Sequence, residues 1–134
     1  MIEGPRRDVE FRAGWDVLVL GDSIAYVGPR GGASAPWDCP SYDASGCVVM
    51  PGFINAHAHS AMSLLRAWAN DLGLDDWLRT KIWPAEARMG REDVYWGAVL
   101  ACAEMTRAGV TTFCDMYFHM DEVARAVSEA GLRA

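Results

Sequence analysis

Apolar and polar positions change their period several times along this chain, and each change marks an element. Val17-Leu18-Val19-Leu20, then Gly21-Asp22, then Ile24-Ala25-Tyr26-Val27-Gly28 reads as two strands joined by a tight glycine turn. Pro29 to Pro40 is rich in Gly, Ala, Ser and Pro, which predicts a loop. Val48 to Ala56 is an apolar run that reads as a strand. Ser60 can cap a helix over Ala61 to Ala69, and Asp75 a short one from Asp76 to Ile82. Pro84 suits the first turn of a third element, which carries Glu86. The clearest helix runs from Arg91 to Ala108: Val94, Ala98, Ala101, Cys102, Met105 and Ala108 recur at three- and four-residue spacing, and Gly109 supplies the stop. Val110 to Met116 is short and β-rich, so it predicts a strand. Asp121 to Ala130 predicts a helix with an Asp cap, ended by Gly131. Strand, helix, strand, helix at this spacing points to parallel βαβ units.

The strongest candidate chemistry is His57-Ala58-His59 at the end of the apolar strand. Side chains on a strand alternate faces, so residues two apart point the same way. Two neutral imidazoles converging from one backbone are half of a site for zinc or a similar divalent ion. A bare His-x-His also fits two surface histidines at a strand end. The context favours the metal: the strand is apolar, Pro51-Gly52 precedes its end, and Asn55 adds a polar group on the face of the histidines.

Other polar residues read two ways. Glu86 is an acid in a helix's first turn, where the dipole favours it. His119 follows the second strand, on the face where active-site loops gather, and reads either as a metal or substrate contact or as a solvated loop histidine. Asp115 ends that strand; it either organises hydrogen bonds under the site or satisfies loop amides. Trp68, Trp77 and Trp83 fall on helical spacing, where core or lid packing is the default reading.

Composition narrows the class. Half the residues, 51%, are apolar and 22% are charged, as in an ordinary globular domain. The net charge of −6 argues against a nucleic-acid partner, which calls for a basic face. The first residues contain no apolar stretch of a signal peptide, and no run approaches a membrane span, so the sequence predicts no membrane association and a cytoplasmic protein. The four cysteines show no C-x-x-C spacing, and Cys102 and Cys114 read as small buried hydrophobes. Neither the H-x-E with P-C-x-x-C of cytidine-type deaminases nor G-x-S-x-G, a P-loop or G-x-G-x-x-G occurs.

The run Pro51-Gly52-Phe53-Ile54-Asn55-Ala56-His57-Ala58-His59 resembles the first barrel strand of the amidohydrolase superfamily. Met62 to Arg66, Asp75-Asp76-Trp77-Leu78 and Lys81-Ile82-Trp83-Pro84-Ala85-Glu86 resemble its methylthioadenosine/S-adenosylhomocysteine deaminase branch, which adjoins the triazine and chlorohydrolase enzymes. Ala101 to Met105 and Gly109 to Tyr117 continue the likeness, which runs from about Asp16 to the last residue. It implies an α/β fold: the first two βα units of a metal-dependent (β/α)8 TIM barrel over residues 50–134, preceded by part of a small composite β-sandwich over residues 1–49. It implies one divalent metal ion, zinc first, with iron or nickel as alternatives, held in part by His57 and His59. It implies deamination of an adenine-type nucleoside such as S-adenosylhomocysteine, methylthioadenosine or adenosine by a metal-bound hydroxide, with Glu86 on the ribose hydroxyls. A triazine, guanine or cytosine aminohydrolase or chlorohydrolase is the alternative, and a non-catalytic remnant a further one. Asn55, Asp115 and His119 stand as outer-shell candidates.

Length bears on this reading. Such a barrel needs about 250 residues, and this chain has 134. The expectation is the N-terminal third of a barrel enzyme, as a truncated product or a partial sequence. The remaining ligands, a His on strand five and an Asp on strand eight, with a further catalytic His on strand six, are implied beyond Ala134. The piece alone is then expected to be inactive and to self-associate through open strand edges; a homo-oligomer of the full enzyme is left open.

Overall fold

The computed structural model describes residues 10–134. They form two compact units that divide between Val48 and Val49. In the first, β1 (Trp15–Leu20) and β2 (Ser23–Pro29) pair antiparallel, with Leu20 opposite Ser23. Gly21, at φ +62°, is the first of the two turn residues, the position at which a hairpin with the natural strand twist asks for glycine. The Asp16 carboxylate accepts the Gly31 amide at 2.8 Å and pins the chain as it leaves the hairpin. The segment after it carries no regular element up to the second unit, as its Gly, Ser and Pro content predicts.

The second unit is built on two parallel strands. β3 (Phe53–Ala58) lies beside β4 (Val110–Asp115), with Phe53 opposite Val110. The sequence predicts a strand from Val48, but pairing starts at Phe53. Val110 is the first residue of β4, so Val48 to Gly52 have no strand partner among the described residues, and Pro51 has no amide to offer. The crossover ends in α3 (Arg91–Arg107), and Gly109, at φ +76°, turns the chain into β4 while its carbonyl accepts the Phe53 amide at 2.8 Å. Arg133 forms a parallel bridge to Thr112, with its carbonyl 2.9 Å from the Phe113 amide, so a third strand position begins beside β4.

Between β3 and α3 the chain departs from the predicted helices. Ser60–Leu65 forms a 3₁₀ turn, not a helix reaching Ala69. Ser60 makes no cap; its hydroxyl points across to Asp115. Beyond the turn Ala67 and Ala69 take positive φ, which no helix allows. The next helix, α1 (Leu74–Trp77), starts after Gly73, which leaves Asp75 in its first turn instead of at its cap. A widened turn over Leu78–Ile82 then leads into α2 (Trp83–Glu86), with Pro84 in its first turn. Finally α4 (Met120–Ala130) follows His119, whose φ of +52° sets the start; Asp121 lies in the first turn and pairs with Arg91.

The core is the face of α3 that the sequence period marks. Val94, Ala98 and Cys102 pack with Phe113 of β4, with Val123, Ala126 and Val127 of α4, and with Ala61 of the 3₁₀ turn. Cys102 is buried as expected. Cys114 is exposed, because alternation turns it away from the side of β4 on which Phe113 meets the helices. Helix α3 approaches the 3₁₀ turn so closely that a Cβ on Gly97 would lie 2.5 Å from the Ala61 carbonyl oxygen and 2.9 Å from its Cα. Gly97→Ala is therefore expected to destabilise by about 1–3 kcal/mol through overpacking, despite alanine's better helix propensity. Urea unfolding of the full-length protein measures it; a neutral or stabilising result would show that the turn yields.

Candidate metal centre

His57 lies in the last turn of the pleat of β3 and His59 one residue past its end. Their rings stand edge to face, with centroids 5.0 Å apart, and their Nε2 atoms are 3.2 Å apart. Two imidazoles on one tetrahedral zinc, each with a bond of about 2.0–2.1 Å, place their nitrogens about 3.3 Å apart. The observed separation fits that chelate. Among the described residues no three His, Cys, Asp or Glu side chains gather for a metal, so the pair is a partial ligand set.

The surroundings of the pair suit a metal site as well. The Nδ1 of His59 is 2.8 Å from the carbonyl oxygen of Met116. A neutral ring that donates from Nδ1 leaves the Nε2 lone pair free, which is how metal-bound histidines are normally held. Asn55 acts on the backbone: its Oδ1 accepts the His57 amide at 3.1 Å. Asp115 ends β4 and accepts the Ser60 amide at 3.1 and 3.3 Å, the Ser60 hydroxyl, and the Met116 amide at 2.8 Å. Ser60 is the only buried polar residue among the described ones, and this carboxylate satisfies it.

Glu86 and His119 come together elsewhere on the unit. Both line an open depression of about 400 Å³ whose walls include Trp83, Met89 and Phe118. The Tyr117 hydroxyl donates to Glu86 Oε1 at 2.8 Å. Burial, with the Glu86 carboxylate beyond it, pushes the Tyr117 hydroxyl well above the ordinary tyrosine range, so it stays a donor. His119 makes no hydrogen bond to the histidine pair among the described residues; its left-handed backbone carries it beside Phe118, with ring centroids 6.4 Å apart. Of the tryptophans, Trp83 borders this depression, while Trp77 donates its ring N–H to the Trp68 carbonyl at 2.7 Å.

The profile of the amidohydrolase family matches residues 48–134, which include both histidines and Glu86. The chain belongs to the amidohydrolase family. Among relatives of this amidohydrolase, the 5-methylthioadenosine/S-adenosylhomocysteine deaminase of Moorella thermoacetica is 56% identical over 119 residues, covering 88% of this chain and 28% of the relative. The 5'-deoxyadenosine deaminase of Methanosarcina barkeri is 51% identical over 118 residues, covering 88% of this chain and 27% of the relative. In the solved structures, the zinc-bound adenosine deaminase of Xanthomonas campestris superposes with a TM-score of 0.74 at 36% identity, covering 90% of this chain and 28% of that one. The chain thus spans less than a third of the length of these relatives.

Three groups that hydrogen-bond to the candidate residues His59, Asp115 and Glu86 escape a reading of the sequence. Ser60 looks like a helix cap, the Met116 carbonyl has no side-chain signature, and Tyr117 falls just past the predicted strand with no partner in sight. The available signal was the order Asp115-Met116-Tyr117 at the end of a strand, since parallel α/β sheets gather ligands outside the carboxyl ends of their strands.

Proposed function

We propose that this chain supplies the first two βα units of a (β/α)8 barrel in a zinc-dependent enzyme that hydrolytically deaminates adenine-type nucleosides: S-adenosylhomocysteine, methylthioadenosine or adenosine. The observation that carries the reading is the His57–His59 pair, whose nitrogens are spaced for one tetrahedral ion beside a carbonyl-anchored ring. The deaminase names of close relatives and the bound zinc of the Xanthomonas campestris enzyme support it.

In this reading β3 and β4 are barrel strands one and two, and the histidines sit at the C-terminal end of strand one, where barrel enzymes place their sites. A divalent ion held by them would supply the Lewis acidity that makes water nucleophilic near neutral pH. Water adds at the purine carbon bearing the exocyclic amine, the C–N bond breaks, and ammonia leaves. His57 and His59 would hold the ion through Nε2, the atoms that face each other at 3.2 Å. Glu86 accepts hydrogen bonds from two ribose hydroxyls, and Tyr117 keeps its carboxylate turned into the depression. The aromatic walls, Trp83 and Phe118, shed water from the nucleoside.

Ammonia release from the three nucleosides by the full-length, zinc-loaded protein tests the activity directly. Glu86→Gln separates the roles. Losing a charged acceptor for two hydroxyls is expected to raise KM for nucleosides roughly tenfold or more, with zinc content unchanged. An unchanged KM would remove Glu86 from the ribose and take the best residue-level support from the nucleoside class.

A further inference from the structure

We propose that Asp115, Met116 and Tyr117 form a positioning strap that sets the metal ligand His59 and the substrate carboxylate Glu86 from one stretch of backbone. The three residues follow one another at the end of β4. Met116 turns its side chain to solvent and its carbonyl to His59 Nδ1, at 2.8 Å. That carbonyl is itself held. The Met116 amide donates to Asp115 Oδ1 at 2.8 Å and lies 3.3 Å from the Ala58 carbonyl oxygen. The Asp115 carboxylate is fixed in turn by the amide and hydroxyl of Ser60. Residues 58, 59 and 60 are therefore each tied to residue 115 or 116, and His59 has little freedom to rotate. One residue further on, the Tyr117 hydroxyl donates to Glu86 at 2.8 Å. Outer partners of this kind fix the tautomer and rotation of a ligating histidine. None of the three residues needs to touch the metal or the reacting atoms.

The strap rests on the proposed function for its Glu86 arm only; the His59 arm requires a metal but no particular substrate. The test uses the full-length protein with Asp115→Ala, Asp115→Asn and Tyr117→Phe. Zinc affinity is read by chelator competition, and thermal melting is recorded on each variant. Asp115→Ala is expected to weaken zinc binding roughly 10- to 100-fold. Asp115→Asn, which keeps one acceptor oxygen, should fall between it and the unaltered protein. If the alanine variant does not fold, the asparagine variant carries this arm. Tyr117→Phe is expected to leave zinc affinity and kcat unchanged and to raise KM for 5'-deoxyadenosine roughly fivefold, the loss of one hydrogen bond. A merely structural Asp115 would lower the melting temperature without changing zinc affinity, and that result would overturn the first arm. An unchanged KM in Tyr117→Phe would overturn the second. If the protein turns over no adenine nucleoside, the proposed function falls while the zinc arm still stands or fails by itself. The second arm is then read from the crystal structure of Tyr117→Phe: a Glu86 carboxylate turned away from its present place supports it, and an unmoved one overturns it.

Discussion

Replacing either His57 or His59 by alanine is expected to strip the metal and abolish the proposed deamination together. Both rings present Nε2 to the same point, 3.2 Å from each other, and only three histidines occur in the whole chain. The third, His119, lies with Glu86 by the depression, and among the described residues no third His, Cys, Asp or Glu side chain gathers with the pair to replace a lost ligand. Loss of an outer partner to a ligand typically costs 10- to 100-fold in metal affinity or activity. Loss of the ligand itself is expected to cost more than about 100-fold, because it removes a whole metal–nitrogen bond. Activity should follow zinc content across the two variants, with no compensating change in KM, since the ion is needed for the chemical step. Metal analysis of the purified full-length variants, set beside ammonia release, checks this. A His57→Ala protein that keeps stoichiometric zinc would remove His57 from the ligand set. The polypeptide of these 134 residues alone carries the same logic further: with two imidazoles and no third ligand gathered among its described residues, it is expected to hold zinc weakly.

The parts that local chemistry decides follow the sequence closely. The His-x-His pair needs only the alternation of a strand, and helix α3 needs only its three- and four-residue apolar spacing, so both lie where the pattern puts them. The region between them does not. Ser60 has the chemistry of a cap, but Asp115, 55 residues away, takes its hydroxyl and its amide, so the predicted helix becomes a short 3₁₀ turn. Asp121 likewise has cap chemistry, but Arg91 of α3 draws it into an ion pair while His119 turns the chain. The link from Tyr117 to Glu86 spans 31 residues and has no local signature. In each case a long-range polar contact outcompetes a local preference of similar size, and a single sequence does not disclose which distant group will arrive. Asn55 shows a smaller version: alternation places it on the face of the histidines, but its amide oxygen serves the His57 backbone.

Phe113→Ala is expected to cost about 3–5 kcal/mol, the usual range for emptying a buried aromatic site. Phe113 is 2% exposed and is the largest of the fully buried side chains. It belongs to one core cluster with Val94, Ala98 and Cys102 of α3 and Val123, Ala126 and Val127 of α4. Most of these neighbours are small or β-branched and cannot swing into the gap, so the cavity stays open. Phe113→Leu, which keeps most of the volume, should cost about 1–1.5 kcal/mol. The loss should also reach the site. Phe113 is two residues before Asp115 on the same strand, and β4 is held at this point by the pairing of Phe113 with Asn55. Looser packing at Phe113 therefore frees the strand end that carries Asp115 and Met116, and zinc affinity should fall in the order of the destabilisation. Urea unfolding with and without zinc measures both effects. A Phe113→Ala protein as stable as its parent would mean that the helices close over the missing ring, and that the core does not hold the strand end in place.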